Sequence, residues 1–234
     1  MTFSVSKFFP LVVVSALAVA GCDSDDDNGG DVIETTEISP DMRFFVTSVG
    51  IGDGANLGGL TGADAHCTSL AASASAVATE WRAFLSTTGA DGENAIDRIG
   101  SGPWANADGV VVANDTTDLL SIGNNLNGLT AITENGSTIT GRGNTPNRHD
   151  ILTGKELNGM ASTDAMDTTC GNWTSNSSEG SALVGHHDRS GPILDFVPNP
   201  TSWSTAHPTR GCGQEDLQGT GGDGLFYCLS LIHI

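Results

Sequence analysis

Basic residues are scarce in this chain: nine Lys and Arg stand against 28 Asp and Glu, a formal net charge of −19. A surface of that sign repels nucleic-acid phosphates and anionic lipid headgroups, which excludes electrostatic binding to either. The local signatures of hydrolases, H-E-x-x-H and G-x-S-x-G, do not occur, so no nucleophile, general base or other catalytic residue is named by motif. There is no C-x-x-C, which argues against a zinc knuckle. No apolar run approaches the roughly 20 residues that span a bilayer. Charged residues make up only 16 % of the chain while Gly numbers 31, a balance that suits a loop-rich exported domain.

The first residues point to export. Lys7 precedes an apolar run from Phe8 to Ala20, and "VAGC" has the form of a bacterial lipobox. Residues 1–21 therefore read as a lipoprotein signal peptide and Cys22 as the lipidated first residue of the mature protein, one charge unit more negative once Lys7 is lost. Residues 22–41, opening "CDSDDDNGGD", form an acidic tether that cannot build a core. Asp23, Asp25, Asp27, Asp31 and Glu34 imitate a calcium loop, but Asn28 stands where the sharp turn needs Gly, and no helix can precede a lipidated first residue. The expected location is the envelope of a Gram-negative bacterium, at the outer membrane or the periplasmic face of the inner one. The lipid is the membrane partner.

About 190 residues follow the tether, enough for one domain with a core. Its Cys67, Cys170, Cys212 and Cys228 are even in number, so two disulfides are expected, with three pairings open. "MRFFVTSVG" reads as a first strand, and "LTGADAHCTSLAASASA" as a helix capped by Thr61 and Asp64 with Ala63, Cys67, Leu70, Ala71 and Ala74 on one face. "EWRAFLS" reads as a strand, "ENAIDRIG" as a short helix, and "GPWANADGVVVA" as a strand pair turning at Asp108-Gly109. "TAITENGSTIT" suggests a hairpin at Asn135-Gly136, while 118–168 reads as largely loop. "SALVGHHD" and "GLFYC" are the last strand candidates. Early helices and late irregular β structure make the class α+β.

"WRAFLST" resembles the "RAFLSS" strand of endostatin, and the helix carrying Cys67 and the four-cysteine layout are similar as well. The stretches "FFVTSVGIGDGANLGGLTGADAHC", "DRIGSGPWANADG", "CGNWTS" and "AHPTRGC…FYC" resemble bacterial lipoproteins with a C-type lectin-like, endostatin-like domain. The resemblance covers 42–228 and implies the nested pairing Cys67 to Cys228 and Cys170 to Cys212. It implies no activity by itself. "VPNP" at Val197 to Pro200 lacks the Glu of the usual calcium and sugar loop, "GNWTS" lacks the Asp after Trp173, and endostatin's zinc histidines and basic face are missing. The last six residues, "LSLIHI", back-translate readily to a transposon end used in sequencing libraries, so 229–234 read as an adapter scar.

Several motifs imitate chemistry. Gly50-x-Gly52-x-x-Ala55 looks like a dinucleotide turn, but Gly58 and Gly59 delay the helix that would meet the phosphates. "GTGGDG" precedes a strand and reads as a loop. In "GHHDRSG", His186 and His187 point to opposite faces of a strand and cannot easily share an ion; His149 or His207 is the partner a zinc site would need. Asp91, Glu93 and Asp97 could hold calcium but read more simply as solvated carboxylates at a helix start. Trp81 and Trp173 suit the core, whereas Trp104 and Trp203, set among Gly, Pro, Asn and Ser, are the candidates for stacking on a ligand. The expectation is a non-enzymatic binding or adhesion protein that recognises a glycan, a cell-wall component or a protein through its loops, with no metal ligand assigned, no cofactor, and calcium the one ion its acidity suggests. The alternative is a metal-assisted hydrolase built around His186.

Overall fold

The computed structural model describes residues 37–163, 166–194 and 197–231. The leader, Cys22, the tether through Thr36 and its acidic loop lie outside them. The described chain is α+β, with four helices and a mixed sheet.

Phe44–Val46 forms β1 and Gly222–Ser230 the last strand, β8. The two pair antiparallel, Phe44 opposite Leu229 and Val46 opposite Tyr227. β2 (Trp81–Ala83) pairs antiparallel with the same end of β8, Arg82 opposite Leu229, so it lies on the other edge. Lower on that edge β5 (Asp150–Leu152) runs parallel to β8, and beyond it come β6 (Leu183–His186) and β7 (His207–Pro208), both antiparallel to their neighbours. Alternation along β8 divides the core. Phe226 and Cys228 join one cluster with Phe45, Trp81 and Trp173, while Leu225, Tyr227 and Leu229 join another with Phe44, Trp104 and Trp203. A strand covered on both faces reads as a continuous apolar run, which is why "LFYCL" carries no polar alternation.

α1 (Gly59–Ser73) places Ala63, Cys67 and Ala71 in the core. Its N-cap is Gly58 at φ 74°, without a side-chain cap. The expected pair of Thr61 and Asp64 does not form because Asp64 is engaged elsewhere. It accepts from the Ala83 amide at 2.9 Å and holds the Arg98 guanidinium at 2.7 Å. Ala95–Arg98, expected as a short helix, is a 3-10 turn. β3 (Trp104–Ala105) and β4 (Val111–Ala113) pair across the Asp108-Gly109 turn. At Asn135-Gly136 the turn exists, with Gly136 at φ 79°, but no strand pair extends from it. The side chains of Thr133 and Asn135 both accept from the Ser137 amide, which diverts the ladder.

The region 118–168 is not all loop. α2 (Thr116–Leu120), capped by the Asp115 carboxylate on the Asp118 amide, enters it, and β5 lies within it. α3 (Cys170–Trp173) is a single turn whose four residues all have positive φ, at 50, 63, 58 and 66°. Its Asn172 and Trp173 side chains bond Thr88 and Ser86. α4 (Gln214–Thr220) packs on β8 and was hidden in a polar stretch. β8 continues two residues beyond Cys228, with Leu229 fully buried; residues 232–234 lie outside the described ones.

Cys67 bonds Cys228, tying α1 to β8, and Cys170 bonds Cys212, with Cα separations of 5.7 and 5.6 Å. Loop-closure entropy for these spans gives ~5 and ~4 kcal/mol as upper values. Lys155 is fully buried; its Nζ donates to Ser204 Oγ at 2.8 Å and Glu156 O at 3.0 Å and lies over the rings of Phe84 and Trp203. Burial pushes this amine down to about 7.

Two outcomes follow from these features. The double variant Cys67→Ser/Cys228→Ser is expected to lose more stability in urea unfolding than Cys170→Ser/Cys212→Ser, by about 1 kcal/mol. Because the folded Lys155 binds its proton more weakly than the unfolded one, its burial costs most below pH 7, and the cost fades as pH rises from about 7 toward 10.5. The stability of the wild type relative to Lys155→Met is therefore expected to rise across that window; a flat difference would contradict the buried amine.

Candidate metal centre

Sheet register assembles a cluster that the linear sequence scatters. In the antiparallel β5–β6 pair Asp150 lies opposite His186, and in the β6–β7 pair Val184 lies opposite His207. Opposed residues point to the same face, and Val184 and His186 share a face at a spacing of two. Asp150, His186 and His207 are thereby neighbours. His149 precedes the strand, and its ring turns back beside Gly221, whose φ is 121°. A Cβ at Gly221 would sit 3.0 Å from His149 Nε2, so only glycine leaves the imidazole its place.

Three ring nitrogens converge on one oxygen. Asp150 Oδ1 lies 3.0 Å from His149 Nε2, 3.3 Å from His186 Nε2 and 3.6 Å from His207 Nε2. The donor atoms of His149, Asp150 and His186 all lie within 4.8 Å of one another. The His149 and His186 rings stack at 4.1 Å. Neither Asp150 oxygen receives a hydrogen bond of acceptable geometry, and His186 Nε2 makes none either, although all are buried.

The outer nitrogens explain the inner ones. His186 Nδ1 is 2.7 Å from Pro200 O and His207 Nδ1 is 3.0 Å from Pro208 O. A carbonyl can only accept, so each Nδ1 carries a proton, and each Nε2 is left as the nitrogen that faces the carboxylate. An Nε2 lone pair facing an oxygen repels it unless a proton or a metal ion lies between them. His149 Nδ1 has the Asp188 carboxylate at 3.5 Å. Each histidine thus has a carbonyl or carboxylate behind it, the outer arrangement that fixes tautomer and orientation in metal-binding histidines. Tetrahedral zinc at about 2.0 Å from its ligands requires donor separations of about 3.3 Å; the distances from Asp150 Oδ1 bracket that value, while the group of donors lying within 4.8 Å of one another comprises His149, Asp150 and His186 without His207.

Electrostatics agree with a cation-seeking site. Burial pushes Asp150 up, but the imidazoles of His149, His186 and His207 outweigh it and hold the carboxyl well below the usual range. Burial pushes His149 down, yet Asp150 and Asp188 raise it to about 9. His207 is raised in the same way by Asp150. Asp188 is held at about 2: burial raises it, while His149 and the amides of Arg142 and Ser190 lower it further.

The other sequence candidates fall elsewhere. His187, buried on the opposite face, stays out of the cluster, and burial lowers its imidazole. Trp104 is fully buried with Nε1 donating to Ser230 O, so neither of its faces is free to stack on a sugar. Trp203 is 4 % exposed and forms part of the wall of a cavity of about 590 Å3. Arg189, the ionisable side chain of that wall, is consumed by Leu126 O, Ile122 O and Asn124 Oδ1. Glu93 pairs with Arg98 and Asp97 with Asn94, while Asp91 is exposed; these carboxylates do not form a cage. Asp150 was not singled out by any motif, and the repeated "HD" of His149-Asp150 and His187-Asp188 was its one available signal. No protein-family model and no curated protein matches the chain.

In metal-free protein the His149 ion pairs contribute stability that is fully present below the ordinary histidine pKa of 6.5 and is lost as pH rises through about 9. The His149 ring is expected to titrate near 9 by NMR in the apo wild type and markedly lower in Asp150→Asn. An unchanged midpoint would show that Asp150 does not hold the proton there.

Proposed function

We propose that the protein is an exported, lipid-anchored binding protein whose C-type lectin-like domain carries a zinc centre at His149, Asp150 and His186, with His207 in the fourth position. The single observation that carries this reading is the convergence of three Nε2 atoms on the buried Asp150 Oδ1 at 3.0 to 3.6 Å. The bridge from α1 to the last strand, with the second bridge nested inside it, supports the lectin-like assignment. Zinc is favoured over calcium because calcium takes six to eight oxygens, whereas this set is dominated by imidazole nitrogen. His207 has the longest approach and the most exposed side chain of the four, which makes it the ligand that exchanges with something entering from outside.

A metal-assisted hydrolase is the second reading, favoured by a cavity of about 460 Å3 that meets His149, His186 and His207. Turnover of p-nitrophenyl phosphate by zinc-loaded protein, abolished in His186→Ala, would establish it over binding alone.

Calorimetric titration is expected to give one zinc per chain. Asp150→Asn and His186→Ala should each weaken binding by at least about a hundredfold, a loss no smaller than that from outer-shell changes. Because protons and zinc compete for the same imidazoles, affinity should fall as pH drops from 7 to 5. No stoichiometric zinc uptake at pH 7 would end the proposal.

A further inference from the structure

The cavity beside the histidines has a charge character opposite to that of the chain. Among the described residues lining it there is no Asp or Glu, although the sequence holds 28 of them. Arg142 and Arg210, two of only nine basic residues, do line it. The Arg210 guanidinium is fixed in place: its Nε meets Asp216 at 2.9 Å, its Nη2 donates to Glu215 O, and it lies against Gly219, where a Cβ would come within 2.5 Å. Its Nη1 makes no hydrogen bond among the described residues. The Arg142 side chain is exposed and has no ion pair among them, while its backbone is held by the bond from its amide to Asp188 Oδ2. The remaining wall is largely apolar, with Pro192, Leu194, Val197 and Pro208.

We infer that this cavity takes an oxyanion, carboxylate or phosphate, carried on a compact apolar body, with the anion between the two arginines and the ion-binding cluster. This rests on the zinc reading and supplies its ligand class. Arginine donors suit both oxyanions, as paired N–H groups match pairs of oxygens. A cleft lined by one sign of charge concentrates the opposite sign, and here the two arginines stand on a chain whose formal net charge is −19. The volume of about 460 Å3 falls within the range of small-molecule sites. The apolar wall gives such a ligand an advantage over free phosphate.

The test uses the full mature chain loaded with one zinc and freed of excess metal, titrated with phenylphosphonate, benzoate, inorganic phosphate and benzyl alcohol. At least one of the first two is expected to bind about tenfold or more tightly than either inorganic phosphate or benzyl alcohol. Arg142→Gln should weaken that binding by about tenfold with zinc stoichiometry unchanged. Arg210→Gln should do the same. Zinc bound at one per chain, with benzyl alcohol held as tightly as both anions, overturns this inference and leaves the metal reading standing. Anion binding unaffected by either arginine substitution also overturns it. Failure to load zinc is scored separately, against the proposed function.

Discussion

Everything in this domain depends on β8 being bonded on both edges. Cys228 is paired with Phe45 on one side and Ala83 on the other, and lower on the strand Gly222 lies opposite Asp150. The strand that closes the core therefore also sets where β5, and with it the carboxylate of the cluster, stands in the sheet. Cys228 adds a covalent tie from the same strand to α1. The first strand waits for the last, and long-range pairing of this type makes folding slow because loop closure must precede its reward.

The core elements were legible because aromatic and β-branched residues cluster in them: "RFFV", "EWRAF" and "LFYC" mark β1, β2 and β8. The four cysteines placed the bridges once the resemblance supplied their order. The site was harder to read for a physical reason. Its residues sit at positions 149, 150, 186 and 207, joined only by cross-strand register, and β5 is three residues long within a polar region. No periodicity can be seen in so short a strand. The stretch "GHHD" was legible as a strand with one histidine on each face, but which face would find company was not. Local side-chain competition accounts for other differences. Asp64 serves Arg98 and Ala83 instead of its own helix end, and Thr133 and Asn135 divert the Ser137 amide that would have continued a hairpin.

A carboxylate as deep as Asp150 is costly. Taking an ion out of water costs several kcal/mol even after relaxation, and breaking its pairing leaves that cost uncompensated. A strand buried on both faces more commonly carries Val, Ile or Leu. Packing alone gives no reason for the substitution of a charge for an aliphatic group, and a clustered, strongly perturbed set of ionisable residues beside a cavity is what marks it as the candidate site. The surrounding chain is consistent with this. Pro200 and Pro208 contribute carbonyls that set the ring tautomers, and Gly221 makes room for the third ring.

The left-handed turn at Cys170–Trp173 has a consequence for the bridge that starts from it. Cys170, Asn172 and Trp173 carry side chains in a conformation that costs roughly 1 to 2 kcal/mol per residue. That sum is similar to what the bridge from Cys170 to Cys212 can supply. Without the bridge this turn keeps the bonds of Asn172 to Thr88 and of Trp173 to Ser86, together with the Trp173 carbonyl that accepts from the Leu57 amide ahead of α1, but loses the covalent restraint. The turn is thus the part of the domain whose backbone strain a disulfide can offset, so that closing the bridge and completing the turn favour each other.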